Sequence, residues 1–122
     1  MIKVDSKKFI QEYFNALSGK PKPLSVLEKY ISDAQFMEHI VVYEKSFPHY
    51  ELLADDFICE DDKVVVRARV KGTHKGDLMG IPPTGKTINL PFSAIYQIKD
   101  EKIVKGWLFV DRMELMEQLG LS

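Results

Sequence analysis

GIPPTGKT at residues 80–87, inside the longer run GTHKGDLMGIPPTGKTINLPF at 72–92, decides how this chain is read. The short piece satisfies G-x-x-x-x-G-K-[ST], the pattern in which consecutive backbone N–H groups cradle phosphate oxygens at the start of a helix. Such a cradle needs a buried strand before it and a helix after it. Here GTHKGDLM precedes the match and the β-rich INLPFSAIYQI follows it. Pro82 and Pro83 also remove two of the N–H donors, and no apolar strand ending in a magnesium-binding Asp comes later. Nucleotide binding is set aside. The segment reads as a proline–glycine connection between two sheet strands, with Lys86 in solvent.

The residues on either side of this connection have the two-residue period of strands. FICEDDKVVVRARVKG at 57–72 holds two strand-like runs around Asp61-Asp62-Lys63, and YQIKDEKIVKGWLFV at 96–110 repeats the arrangement around Asp100-Glu101-Lys102. Two hairpins of the same grammar predict a twisted antiparallel meander. Val66, Ala68 and Val70 share one face, opposite Arg67, Arg69 and Lys71. Leu90, Phe92, Ala94 and Tyr96 share another. Pro91 inside its strand predicts an edge position or a bulge.

Before residue 50 the period is that of helices. DSKKFIQEYFNAL at 5–17 puts Phe9, Ile10, Tyr13, Phe14 and Leu17 on one face, with Asp5 or Ser6 as N-cap and Gly19 as C-cap. PLSVLEKYI at 23–31 begins a second helix with Ser25 and Glu28 as a capping box, burying Leu27, Tyr30 and Ile31. AQFMEHI at 34–40 is read as a small strand, and VVYEKSFPHY at 41–50 as a third short helix ending near Pro48. RMELMEQLG at 112–120 closes the chain as a short helix. Helices first and a meander afterwards predict an α+β fold, one domain over residues 1–122, with helices on one face of the sheet.

Composition narrows the functional classes. With 45% hydrophobic and 29% charged residues, the balance is globular. No apolar run approaches the roughly 20 residues of a membrane span, and MIKVDSKKF lacks a signal-peptide core, so no membrane partner is expected. A net charge of −1, with basic and acidic residues interspersed, gives no footprint for nucleic acid. The single cysteine, Cys59, excludes an internal disulfide, fits a reducing cytoplasm and reads as a packing residue. The three histidines lack H-x-x-x-H and H-E-x-x-H spacing, so no metal site is expected.

The run at 72–92, taken together with KIVKGWLFVDRMELMEQLG at 102–120, resembles the SnoaL-like polyketide cyclases. These belong to the superfamily that shares the fold of nuclear transport factor 2 and ketosteroid isomerase. Gly72, Thr73, His74 and Gly76, then Gly80 through Lys86, then Trp107, Asp111 and Gln118 to Gly120 carry the resemblance. FPHYELLADDFICEDDKVVVRARVKG at 47–72 matches the family's middle section. The resemblance implies a cone: a curved antiparallel sheet wrapped around three helices, with an apolar pocket between them. It also implies an intramolecular aldol condensation or a related enolisation, with no metal and no organic cofactor. The substrate would be a small hydrophobic carbonyl compound.

In the matching position, Asp111 would be the pocket carboxylate that serves as general acid/base. Strand alternation groups it with Trp107 and Phe109, and a carboxylate beside two aromatics would be desolvated and its pKa raised. The spacing from Asp111 to Glu114 equally makes a helix cap, and the two roles are compatible. His39, His74, Trp107, Phe109 and Tyr13 are the candidate substrate contacts, with loop shaping as the alternative for His74. Gly106 departs from relatives that carry a histidine before the tryptophan. Leu108, Val110 and Ile95 would lie on the outer sheet face, which predicts a homodimer. Two functions stay open: a cofactor-free cyclase or isomerase, and a non-catalytic binder of a small apolar ligand in the same cone.

Overall fold

Asp5 starts the first helix by accepting the Lys8 N–H at 3.1 Å, which satisfies one of the donors a helix start leaves free. The computed structural model describes residues 5–121; residues 1–4, part of the stretch read for a signal segment, lie outside them. Helix α1 (Ser6–Leu17) buries Ile10, Tyr13, Phe14 and Leu17, and Gly19 takes a positive φ of 68° just past its end. Helix α2 (Leu24–Tyr30) begins two residues earlier than the capping box suggests. Its N-cap is Pro23, with no side-chain cap bond, and Ser25 sits inside the first turn.

The larger correction lies at 34–46. AQFMEHI is not a strand: with the following residues it forms one helix, α3 (Ala34–Ser46), capped by Asp33 accepting from Gln35 N–H. Phe36, Ile40, Tyr43 and Phe47 recur at the spacing of one helix face. Their β-branched and aromatic neighbours give a local strand propensity that this packing overrides.

The strands β1 (Glu51–Glu60), β2 (Lys63–Thr73), β3 (Thr87–Lys99) and β4 (Lys102–Val110) pair in order β1-β2-β3-β4, all antiparallel. The turns fall where the acidic pairs stand. Asp100 and Glu101 both take positive φ, the backbone that a tight two-residue hairpin requires. Register breaks at Ala54/Asp56 and Gln97/Ile98 mark bulges, which bend the sheet. Pro91 sits opposite Arg69 of β2 and one residue beyond the end of β4, so its missing N–H breaks no ladder bond.

The concave side of the sheet carries the core. Helix α1 lies against β1 and β2, α2 reaches β4, and α4 (Arg112–Gln118) lies against β3. One cluster joins Ile10, Tyr13, Leu17 and Leu27 to Val64, Val66, Ala94 and Tyr96. A second, at the other end, gathers Phe47, Tyr50, Leu78, Ile88, Leu90, Leu115 and Leu119 beneath the long β2–β3 connection. Cys59 is exposed rather than packed.

The connection at 74–86 is a loop that ends in a strand, with no helix after the glycine–lysine pair. Its motif residues do structural work. The Lys75 and Gly76 N–H groups donate to the Ser46 carbonyl, and a Cβ on Gly76 would overlap the Lys45 carbonyl oxygen. Gln118 both donates to and accepts from the Asn89 backbone, fastening α4 to β3.

Candidate ligand-binding site

Between α1, α3, α4 and the concave sheet face lies a cavity of about 90 Å³. Aliphatic side chains make half of its lining: Ile40, Leu52, Val70, Ile88, Leu90, Leu108, Val110 and Leu115. Phe36, Phe47 and Phe92 add aromatic surface. Four tyrosines, Tyr13, Tyr43, Tyr50 and Tyr96, and one histidine, His39, supply the polar groups.

The tyrosines set the electrostatics. Burial raises the pKa of Tyr13 well above the ordinary phenol value, and nearby Tyr96 and Tyr50 raise it further. Burial likewise raises Tyr96, with Tyr50 adding to it, and raises Tyr50, with Glu44 and Tyr43 adding to it. All three are neutral donors at any physiological pH. Hydrogen bonds play no part in these shifts, and among the described residues no protein group pairs with the three hydroxyls. They are not sealed off either: the one buried side-chain polar atom without a partner among the described residues is His74 Nε2. All three residues line the cavity.

His39 stands at the cavity mouth, packed on Tyr43 with ring centroids 4.7 Å apart. The residue is exposed by its surface, yet the atoms around the ring displace enough water to lower its pKa below the ordinary imidazole value. It is held neutral near pH 7.

The other residues singled out from the sequence lie elsewhere. Asp111 is exposed and caps α4, its Oδ1 accepting the Glu114 N–H at 3.1 Å. Its neighbour Val110 lines the cavity, but Asp111 does not. Glu114 does not complete a capping box, because its carboxylate accepts from Gln118 instead. Trp107 and Phe109 face away from the cavity, reversing the expected faces of β4. Pairing of Ala94 with Leu108 and Phe92 with Val110 puts Leu108 and Val110 on the concave side. Alternation groups residues correctly but does not say which group faces inward. The helices cover the face of β3 that carries Ala94 and Tyr96, and β4 follows its partner.

His74 is fully buried, outside the cavity lining. Its Nδ1 accepts the Thr84 N–H at 3.2 Å, its backbone bonds Lys86 and Gly85, and its ring packs on Phe47. It shapes the loop. Gly106 faces inward opposite Tyr96, and an added Cβ would stand 2.8 Å from the Phe36 ring. In this chain Phe36 fills the space that a side chain before the tryptophan would take.

Lys22 had no sequence signal, since it reads as part of a helix stop between two prolines. The structure buries it. Its Nζ lies 2.9 Å from Glu44, 3.1 Å from the Tyr50 carbonyl and 3.9 Å from the centre of the Tyr50 ring. Desolvation lowers its pKa and the Glu44 carboxylate opposes that shift. It braces Tyr50 from behind. Tyr96 was legible as an inward residue of β3 but not as a polar one.

Residues 10–119 match the model of the SnoaL-like polyketide cyclases. The chain belongs to the SnoaL-like polyketide cyclase family. Solved structures agree with the fold of that family, which is that of nuclear transport factor 2. A SnoaL-like polyketide cyclase from Agrobacterium tumefaciens is 16% identical with a TM-score of 0.79, covering 97% of this chain and 100% of that one. A protein from Jannaschia sp. CCS1, assigned as a SnoaL-like polyketide cyclase, is 18% identical with a TM-score of 0.82, covering 100% and 99%. AclR from Streptomyces galilaeus, assigned as a hydroxylase, is 24% identical with a TM-score of 0.79, covering 95% and 81%. No curated protein sequence matches. Cyclase and hydroxylase assignments on one SnoaL-like scaffold mean that the scaffold alone does not fix the reaction.

Proposed function

We propose that this SnoaL-like protein binds a compact, largely hydrophobic carbonyl compound in the cone cavity. The observation that carries this is that Tyr13, Tyr50 and Tyr96, whose hydroxyls have no protein partner among the described residues, line a largely apolar space. A neutral donor in a largely apolar cavity favours a neutral acceptor. A carbonyl oxygen meets that need, whereas a carboxylate would add a desolvated charge with no cation among the lining residues. The cavity volume restricts the ligand to about one ring or a short branched chain.

Chemistry of the family's kind, an aldol cyclisation or an enolisation, is the natural use of such a site. A carbonyl held by phenolic donors is polarised, and its α-hydrogens are acidified. The alternative is a binder with no chemistry. Engagement of Asp111 as a helix cap, outside the cavity lining, favours it, and membership of the cyclase family favours catalysis.

Heteronuclear NMR titration with cyclopentanone, cyclohexanone and cycloheptanone tests the binding proposal. Shifts should concentrate at the cavity residues of α1, α3 and β3. Shifts scattered over the surface, or none at millimolar ligand, would reject it.

Two wider parts of the proposal concern setting and assembly. The single cysteine and the absence of a helix long and apolar enough to cross a membrane among the described residues are consistent with a cytoplasmic setting. A homodimer through the outer sheet face is supported by a row of apolar residues crossing all four strands: Ile58, Val65, Ile95 and Trp107 are successive partners. Ile58 and, beside the row, Phe109 are 65% and 56% exposed. The row contains Ile95, as expected, but not Leu108 or Val110, which face the cavity.

A further inference from the structure

We infer that His39 is the general base of the cavity, taking the proton from the carbon next to a bound ketone's carbonyl. This rests on the carbonyl-binding proposal above. Among the residues that line the cavity, His39 alone carries a group that exchanges protons near neutral pH; the rest are apolar or phenolic.

The surroundings suit the task. Sharing the cavity lining with His39 are Tyr13 from α1, Tyr43 from its own helix, Tyr50 ahead of β1 and Tyr96 from β3. From β2, β4 and α4 come Val70, Leu108 and Leu115, which neither donate nor accept. No carboxylate or ammonium among the described residues pairs with the ring, and burial is the one influence on its pKa. An unpaired, neutral imidazole at an apolar cavity has a free ring nitrogen. Its stacking on Tyr43, at 4.7 Å, limits its orientation.

The step balances without any other reagent. The free imidazole nitrogen takes the α-hydrogen as a proton, and the C–H electron pair becomes the C=C bond of an enolate. The carbonyl π electrons move to oxygen, where a tyrosine hydroxyl stabilises them. Return of a proton from the imidazolium to carbon restores the ketone. In heavy water the returned particle is a deuteron.

The sign of the pH dependence follows. The neutral ring is the base, so the rate falls as pH drops through its pKa and levels off above it. Because burial lowers that pKa, the midpoint lies below the ordinary 6.5.

The test follows loss of the α-proton signal of cyclohexanone in heavy water by proton NMR, with binding measured separately. Wild type should accelerate exchange, with a midpoint below pH 6.5. His39→Gln should bind cyclohexanone within about threefold of wild type, yet lose about 100-fold in exchange rate. Added imidazole should restore part of the rate to His39→Ala, which a merely structural role would not allow. Unchanged exchange in His39→Gln overturns the inference. So does a wild type that binds cyclohexanone without exchanging it, which leaves the binding proposal intact. Absence of binding by all three cyclic ketones would sink the binding proposal first and this inference with it.

Discussion

Asp111 shows how one residue can satisfy two readings from sequence. D-x-x-E spacing names a cap and the family position names a base; in the structure its carboxylate accepts the Glu114 N–H. A lost N-cap costs about 1 kcal/mol, so Asp111→Ala should lower the melting temperature by about 3–6 °C. Affinity for a cyclic ketone should stay unchanged. An unchanged or raised melting temperature in calorimetry would show instead that the carboxylate is held against stability. Tyr13 was legible at this scale because it belongs to a helix stripe and carries a hydroxyl. Tyr50 and Lys22 were not legible. Each lies in an aperiodic connection, and they meet only because residues 22 and 50 are brought together by the packing of α1, α3 and β1.

At the scale of elements, most boundaries were legible where capping or turn chemistry is strong. Asp5, Gly19, Asp61-Asp62 and Asp100-Glu101 mark theirs. Helix α3 was not legible over its first half. FMEHIVV is rich in strand formers, and what holds it helical is burial of Phe36 and Ile40 against β3 and β4, a tertiary effect. The glycines of the 72–85 connection look alike in sequence and differ in space. Gly76 is pressed on the Lys45 carbonyl, whereas Gly80 has a φ of 92° and open space around its Cβ direction. Gly76→Ala should therefore cost about 2–3 kcal/mol, as overpacking against backbone does. Gly80→Ala should cost about 1 kcal/mol, for backbone strain alone. Urea unfolding compares them, and equal midpoints for the two variants would contradict the close approach at Gly76.

For the whole molecule, the meander, the helices-first order and the cone were legible, because period, turn chemistry and the GTHKG–GIPPTGK run agree. The inward face of β4 was not. Alternation is indifferent to which side the helices cover, and Trp107 and Phe109 are as apolar as Leu108 and Val110. The consequence is a sheet whose outer surface carries Ile58, Trp107 and Phe109. Sedimentation at micromolar concentration should find a species of twice the 14.0 kDa chain mass. Phe109→Asp should shift it toward monomer. A 14.0 kDa species alone in wild type would rule the dimer out.

The central claim is that tyrosine hydroxyls in the cone cavity receive a carbonyl oxygen. Calorimetric titration with cyclohexanone and with methylenecyclohexane, which has nearly the same shape but no acceptor, tests it most directly. A net hydrogen bond of about 1 kcal/mol predicts roughly fivefold tighter binding of the ketone. That preference should vanish in a Tyr13→Phe, Tyr96→Phe double variant that still binds the hydrocarbon. Equal affinity of the wild type for the two compounds, or a preference that survives both substitutions, would contradict the claim.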